Sequence, residues 1–191
     1  MLVGGTFSAQ LVPQIAALLT KHGFSKQDIA AFAVVSGPGS FTGLRIGLAA
    51  VKALAEVLGK PIAAVSLLEA VAIAGKTRGR VVAALDAGRN EVYAGEYEIE
   101  SVTKRISERL LTQAEWIVSA AGRTAVTPDR KLADLAGTAG LAVEEIQRPG
   151  SDAVARIGWR KILSGETISP EALDANYIRR MDGEILVKNS S

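Results

Sequence analysis

The sequence predicts an α/β protein, and three stretches carry the prediction. Residues 31–58, AFAVVSGPGSFTGLRIGLAAVKALAEVL, pass from an apolar run at 32–35 through Gly37-Pro38-Gly39 into an unbroken helical pattern that starts by Gly43. This reads as a strand, a tight glycine-rich loop and a helix. From Arg80, RVVAALDAGRNEVYAGEYEIE reads as two strands around a turn at 87–90, with 105–111 as a third, so a meander opens the second half. Capping boxes, Ser66 with Glu69 and Thr112 with Glu115, set helices between the strands.

Taken in order, Ser8 caps a helix to about His22 with Leu11, Ile15, Leu18 and Leu19 on one face, and Pro13 kinks its first turns. Ser25 and Asp28 mark a short turn before the strand at 32–35 and the long helix to Leu58. A strand at 62–65 follows Pro61, and the Ser66 box opens an apolar helix that Gly75 ends. After the meander come a helix ending near Gly122, a strand at 124–127, a helix at 129–135, a strand at 141–146 and a helix from Ser151 through Trp159 to Leu163. SPEALDANYIRR is irregular and 181–191 reads as a frayed tail. The second half thus runs βββαβαβα and the first αβαβα, the same order without its three opening strands. A duplicated domain follows, with roughly 30 residues of N-terminal meander absent. The expected division is an incomplete N-terminal subdomain at 1–78, a C-terminal subdomain at 79–180 and a flexible tail at 181–191.

The chain has 191 residues, 48% of them hydrophobic, which is enough for a real core in one or two small domains. It has no cysteine, so disulfide staples, thiolate nucleophiles and zinc–cysteine sites are excluded. Its one histidine, His22, stands before Gly23 at the end of the first helix, where a cation suits the helix dipole, and it cannot build a multi-histidine metal site alone. The net charge is +2 with a sequence pI near 9.0, and basic residues fall in small groups such as Lys76, Arg78 and Arg80. Such groups are solvated faces that aid weak contact with RNA once a partner supplies the rest of the grip. No run approaches about 18 apolar residues, and no charged n-region precedes an apolar stretch. The expected location is the cytoplasm, away from membranes.

The helix after the glycine-rich loop is more informative than the loop. At about 100° per residue, Arg45, Lys52 and Glu56 share a stripe about 40° wide, and nearly everything else is apolar or small. Leu44, Leu48, Val51 and Leu58 form the face expected on a sheet. Gly43, Ile46, Gly47, Ala50, Ala53, Leu54 and Val57 form a second surface, whose small side chains admit another helix closely, either from this chain or from a partner. The loop residues Gly37, Gly39, Ser40 and Thr42 stand at a helix N-terminus, an anion-binding position in principle. Their spacing, G-x-G-x-x-x-G, is one residue too long for a dinucleotide fingerprint and lacks the Lys-Ser/Thr ending of a P-loop, so a tight turn packing helix on strand is the better reading.

GPGSFTGLRIGLAAVKALA, then PIAAVSLLEAVA, then LDAGRNEVYAGEY resemble the TsaB (YeaZ) family of bacterial tRNA threonylcarbamoyladenosine biosynthesis proteins. The likeness is close over residues 5–97 and thins afterwards, with NYIR from Asn176 similar to the family's C-terminal Tyr-Leu-Arg element. It implies the duplicated fold of actin, Hsp70 and sugar kinases. Family members begin with a strand and hairpin that this chain starts beyond, strands that would pair with 32–35 and whose loss would leave a sheet edge exposed.

The resemblance also implies a function: a non-catalytic partner of TsaD, which with TsaE moves a threonylcarbamoyl group onto N6 of the adenosine beside the tRNA anticodon. It places Leu11 and Ile15 of the first helix, and Gly43, Ile46, Gly47, Ala50 and Leu54 of the second, at the TsaD interface. The same helices are expected to form a homodimer when TsaD is absent. Neither a catalytic residue, a metal nor a cofactor of its own is expected; a nucleotide at the complex interface is left open, and contact with tRNA is indirect. The competing reading is an ATP-dependent kinase or ATPase of the same fold using Asp86 or Glu91, although an Asp opening a turn more often bonds its own backbone. A peptidase is unsupported: there is no cysteine and one helix-end histidine.

Overall fold

The computed structural model describes residues 7–178. The elements are α1 (Phe7–Lys21), a 3-10 turn (Lys26–Asp28), β1 (Phe32–Gly37), α2 (Phe41–Leu58), β2 (Ile62–Ser66), α3 (Leu67–Ala74), β3 (Gly79–Gly88), β4 (Glu91–Ile99), β5 (Thr103–Thr112), α4 (Gln113–Ala120), β6 (Thr124–Thr127), α5 (Arg130–Thr138), β7 (Ala142–Glu145) and α6 (Ser151–Leu163). The order matches the one read from the sequence. The reading of 181–191 as a tail, and Arg179 of the NYIR element, lie outside the described residues.

Two compact units are built from this order, and neither is continuous in sequence: residues 7–65 with 150–175, and 66–149 with 176–178. In the first unit, among the described residues, β1 pairs with β2 alone, α1 lies against α2, and β1 packs on both α2 and α6. Leu48, Ala55, Ile62 and Leu173 form its buried core, with Phe32, Val34, Leu44 and Val51 around them. The expected Leu58 is half-buried and outside that cluster, because the helix ends there at the left-handed Gly59. The α6 helix reaches β1 because residue 158 is glycine: a Cβ there would stand 2.3 Å from the Ala33 Cβ. An open apolar groove of about 330 Å³ runs beside β1, lined by Ile29, Ala30, Ala31, Ala33, Ala155 and Trp159 among others.

The second unit holds a five-stranded mixed sheet in the order β5-β4-β3-β6-β7. The meander β3–β4–β5 is antiparallel, while β6 runs parallel to β3 and β7 parallel to β6. The unbroken apolar run of β3 is explained by burial on both faces. Val81, Ala83 and Leu85 pack with Leu68, Val71, Tyr97 and Val126 on one side, and Val82 and Ala84 pack with Val92, Trp116, Ala120 and Leu132 on the other. The α4 capping box forms as read: Glu115 Oε2 accepts from Thr112 N and Oγ1, both at 2.8 Å, and Thr112 Oγ1 accepts from Glu115 N at 3.2 Å.

A division at residue 78 leaves α3 with the first half and α6 with the second, and the contacts reverse both. The apolar face of α3, Leu68, Val71 and Ala72, packs on the second unit's sheet. The Gly158 stretch of α6 packs on Ala33 in the first.

Candidate functional site

The glycine-rich loop bends sharply where β1 ends. Gly37 is buried and joined to buried Pro38 by a cis peptide bond, whereas Gly39, Ser40 and Thr42 are exposed. Ser40 caps α2: its Oγ accepts from Gly43 N at 3.4 Å and its carbonyl from Leu44 N at 2.8 Å. Both bonds tie Ser40 of the loop to the first turn of α2. Arg45 lies over the Phe41 ring, 3.7 Å from its centroid, a cation–π contact at the rim of the helix.

From that turn α2 presents two faces. Leu44, Leu48, Val51 and Ala55 close on the sheet. Gly43, Ile46, Gly47, Ala50 and Leu54 are half-buried on an adjacent stripe, and so are Leu11 and Ile15 of α1, the helix that lies against α2. The chain therefore brings the two helices of the predicted interface together in one unit. At Gly47 a Cβ would meet nothing within 4 Å, so the backbone remains open to close approach there.

The residues weighed for chemistry lie elsewhere. His22 is exposed in the turn after α1, its N–H bonded to Leu18 and Leu19 carbonyls. Asp86, exposed near the end of β3, accepts from Gly88 N through Oδ1 at 2.8 Å, and its own N–H goes to Asp129 Oδ2 at 2.8 Å. Its carboxylate thus shapes the hairpin turn, the role expected of an Asp in that place. Among the described residues no three His, Asp or Glu side chains gather as a metal-binding group, and no helix is long and apolar enough to cross a membrane.

One polar cluster was not foreseen. In the second unit Glu108 of β5, its side chain 6% exposed, receives hydrogen bonds from Tyr97, Ser66 and Asn176. Ser66 reads from sequence only as a cap and Tyr97 only as a strand residue. The available signal was Gly95, a glycine inside an otherwise strong strand, which marks a close approach.

A family model described as TsaD: tRNA N6-adenosine threonylcarbamoyltransferase matches residues 3–154, so the chain is built on a TsaD-type domain. The tRNA threonylcarbamoyladenosine biosynthesis protein TsaB of Escherichia coli (strain K12) is 32% identical over 189 residues, covering 89% of this chain and 79% of that protein. TsaB of Bacillus subtilis (strain 168) is 29% identical over 190 residues, covering 93% and 81%. The solved structure of YeaZ from Pseudomonas aeruginosa matches with a TM-score of 0.72 at 26% identity, covering 93% of this chain and 86% of that one. Another, described as an uncharacterized protein with similarity to peptidase YEAZ from Pseudomonas aeruginosa, matches with a TM-score of 0.74 at 26% identity, covering 94% and 87%. The chain belongs to the TsaB (YeaZ) family.

Proposed function

We propose that this chain is a non-catalytic partner of a TsaD-type chain in forming N6-threonylcarbamoyladenosine in tRNA, in the cytoplasm, together with TsaE. The observation that carries the reading is the α1–α2 face: a half-buried apolar stripe with an open backbone at Gly47. Leu11, Ile15, Gly43, Ile46, Gly47, Ala50 and Leu54 are the proposed contacts. The same face serves a homodimer when the partner is absent, two uses of one surface that exclude each other. In this reading the chain contributes neither metal nor cofactor, and tRNA is reached through the partner.

The proposal includes a duplicated domain of the actin, Hsp70 and sugar-kinase type. The repeat of order supports it: β1–α2–β2–α3 answers to β6–α5–β7–α6, and α1 answers to α4. No counterpart of the meander β3–β5 stands among the described residues of the first unit.

Light scattering on the chain mixed with its own TsaD is the test. A one-to-one complex is expected, and Ala50→Glu abolishes it while the melting temperature of the variant stays within a few degrees of the parent. Failure of the parent to bind overturns the reading. An Ala50→Glu chain that no longer folds assigns the stripe to internal packing instead.

A further inference from the structure

The chain passes between its two compact units three times, at 65–66, 149–150 and 175–176. Ser66 and Asn176 are the residues on the second unit's side of the first and third crossings, and both are held by one carboxylate. Glu108 Oε1 accepts the hydroxyl hydrogens of Ser66 and Tyr97, and Oε2 accepts from Asn176 Nδ2 at 2.7 Å. The largely exposed Arg105 guanidinium stands 3.8 Å from Oε2. Ser66 Oγ also accepts from Leu68 N at 3.2 Å, so the hydroxyl that starts α3 is the one the carboxylate holds. Three polar donors on a buried carboxylate satisfy it and fix its rotamer.

The sheet is shaped to allow this. Glu108 faces Gly95 across the β4–β5 ladder, and a register shift follows between Glu96 and Tyr97. A Cβ on Gly95 would stand 2.7 Å from Tyr97 Cε2 and 3.1 Å from Leu68 Cβ, so the missing side chain is the room in which the tyrosine ring lies on its way to Glu108. Burial first, and then the neighbouring Glu108 charge, push the Tyr97 phenol far up, which keeps it a donor.

We infer that Glu108 is a positioning residue, a clamp that fixes the chain inside the second unit at two of its three crossings and so limits movement about them. The inference stands on this chain alone and does not depend on the proposed partner.

Hydrogen exchange on the full chain tests it. In Glu108→Ala the amides of Leu68 and Ile178, bonded in the parent to Ser66 Oγ and the Asn176 carbonyl, are expected to exchange about tenfold faster or more, while those of Val82 and Ala125 at the sheet centre keep their parent rates. Glu108→Gln, which keeps the shape and one acceptor, restores part of the protection. Fluorophores attached at Val57 and Val118, one in each unit, report a broader distance distribution in Glu108→Ala than in Glu108→Gln. Parent rates at Leu68 and Ile178, or a uniform rise that includes the sheet centre, would overturn the clamp. If Glu108→Ala does not fold, Asn176→Ala decides: Ile178 alone is released if the clamp holds, and unchanged protection refutes it.

Discussion

The two units solve one problem with unequal means. In the second, β3 lies in the middle of five strands, is covered on both faces, and its residues from Val81 to Leu85 are buried throughout. In the first, β1 has a single strand neighbour among the described residues, and its residues from Phe32 to Ser36 are only half-buried. The difference teaches that a strand's burial follows from its neighbours as much as from its composition, since both runs are apolar enough for a core. The second unit carries the larger packed interior, and the first relies on α2 and α6 pressing on a narrow sheet.

Substitutions that empty the interior should separate the units most. Trp116→Ala removes a fully buried ring from the second unit and should cost about 3–5 kcal/mol, whereas Leu48→Ala, in the smaller core of the first, should stay near the low end of about 2–5 kcal/mol. Denaturant titration of both variants checks the order, and equal losses would erase the contrast. A smaller effect is expected from Gly158→Ala. Its methyl collides with Ala33, and the overpacking should destabilise the first unit by about 1–3 kcal/mol. Exchange at β1 amides should rise while that of β3 stays level.

The smallest effect concerns acid. Glu144 of β7 accepts from Lys76 N at 2.6 Å, from Thr77 N at 3.0 Å and from Thr77 Oγ1, pinning the loop after α3 to the second unit's sheet. Burial pushes its carboxyl up, but those hydrogen bonds and the Lys76 charge outweigh it and hold the group below its usual 4.5. The folded state binds this proton less readily than the unfolded one, so the stabilisation is full above about 4.5 and fades as pH falls through the depressed value. Glu144→Gln should flatten that part of the acid limb of the stability curve. An unchanged limb would show that the loop is held by other means.

Much of this fold was legible in the sequence because it is local. Thr112 and Glu115 announce α4 by side-chain chemistry within a single turn, and the apolar run from Val81 to Leu85 announces a strand. The turn at Gly37 and the two faces of α2 follow from spacing in the same way. What could not be read is what depends on distant neighbours. Nothing near Leu68 says that its helix packs on strands still to come, and nothing near Gly158 says that Ala33 is its neighbour. Glu108 was hidden for a related reason: a glutamate in a strand of Lys, Arg and Ser reads as solvent-facing, and only Gly95 on the next strand opens the space that buries it.

The placement of α6 has a consequence for synthesis. The first unit is translated first, but β1 waits for a helix encoded after the whole of the second sheet. A nascent chain therefore leaves the ribosome with its N-terminal half uncovered, its apolar strand flanked by Ile29 and Ala31 still without the helix it needs. The second unit's sheet, β3 to β7, is complete in the chain before α6 is made, with its local meander and capped helices already in place to fold. The first unit's sheet is thus the later of the two to receive its covering helix, and the interval before α6 emerges is when its uncovered strand is open to chaperones.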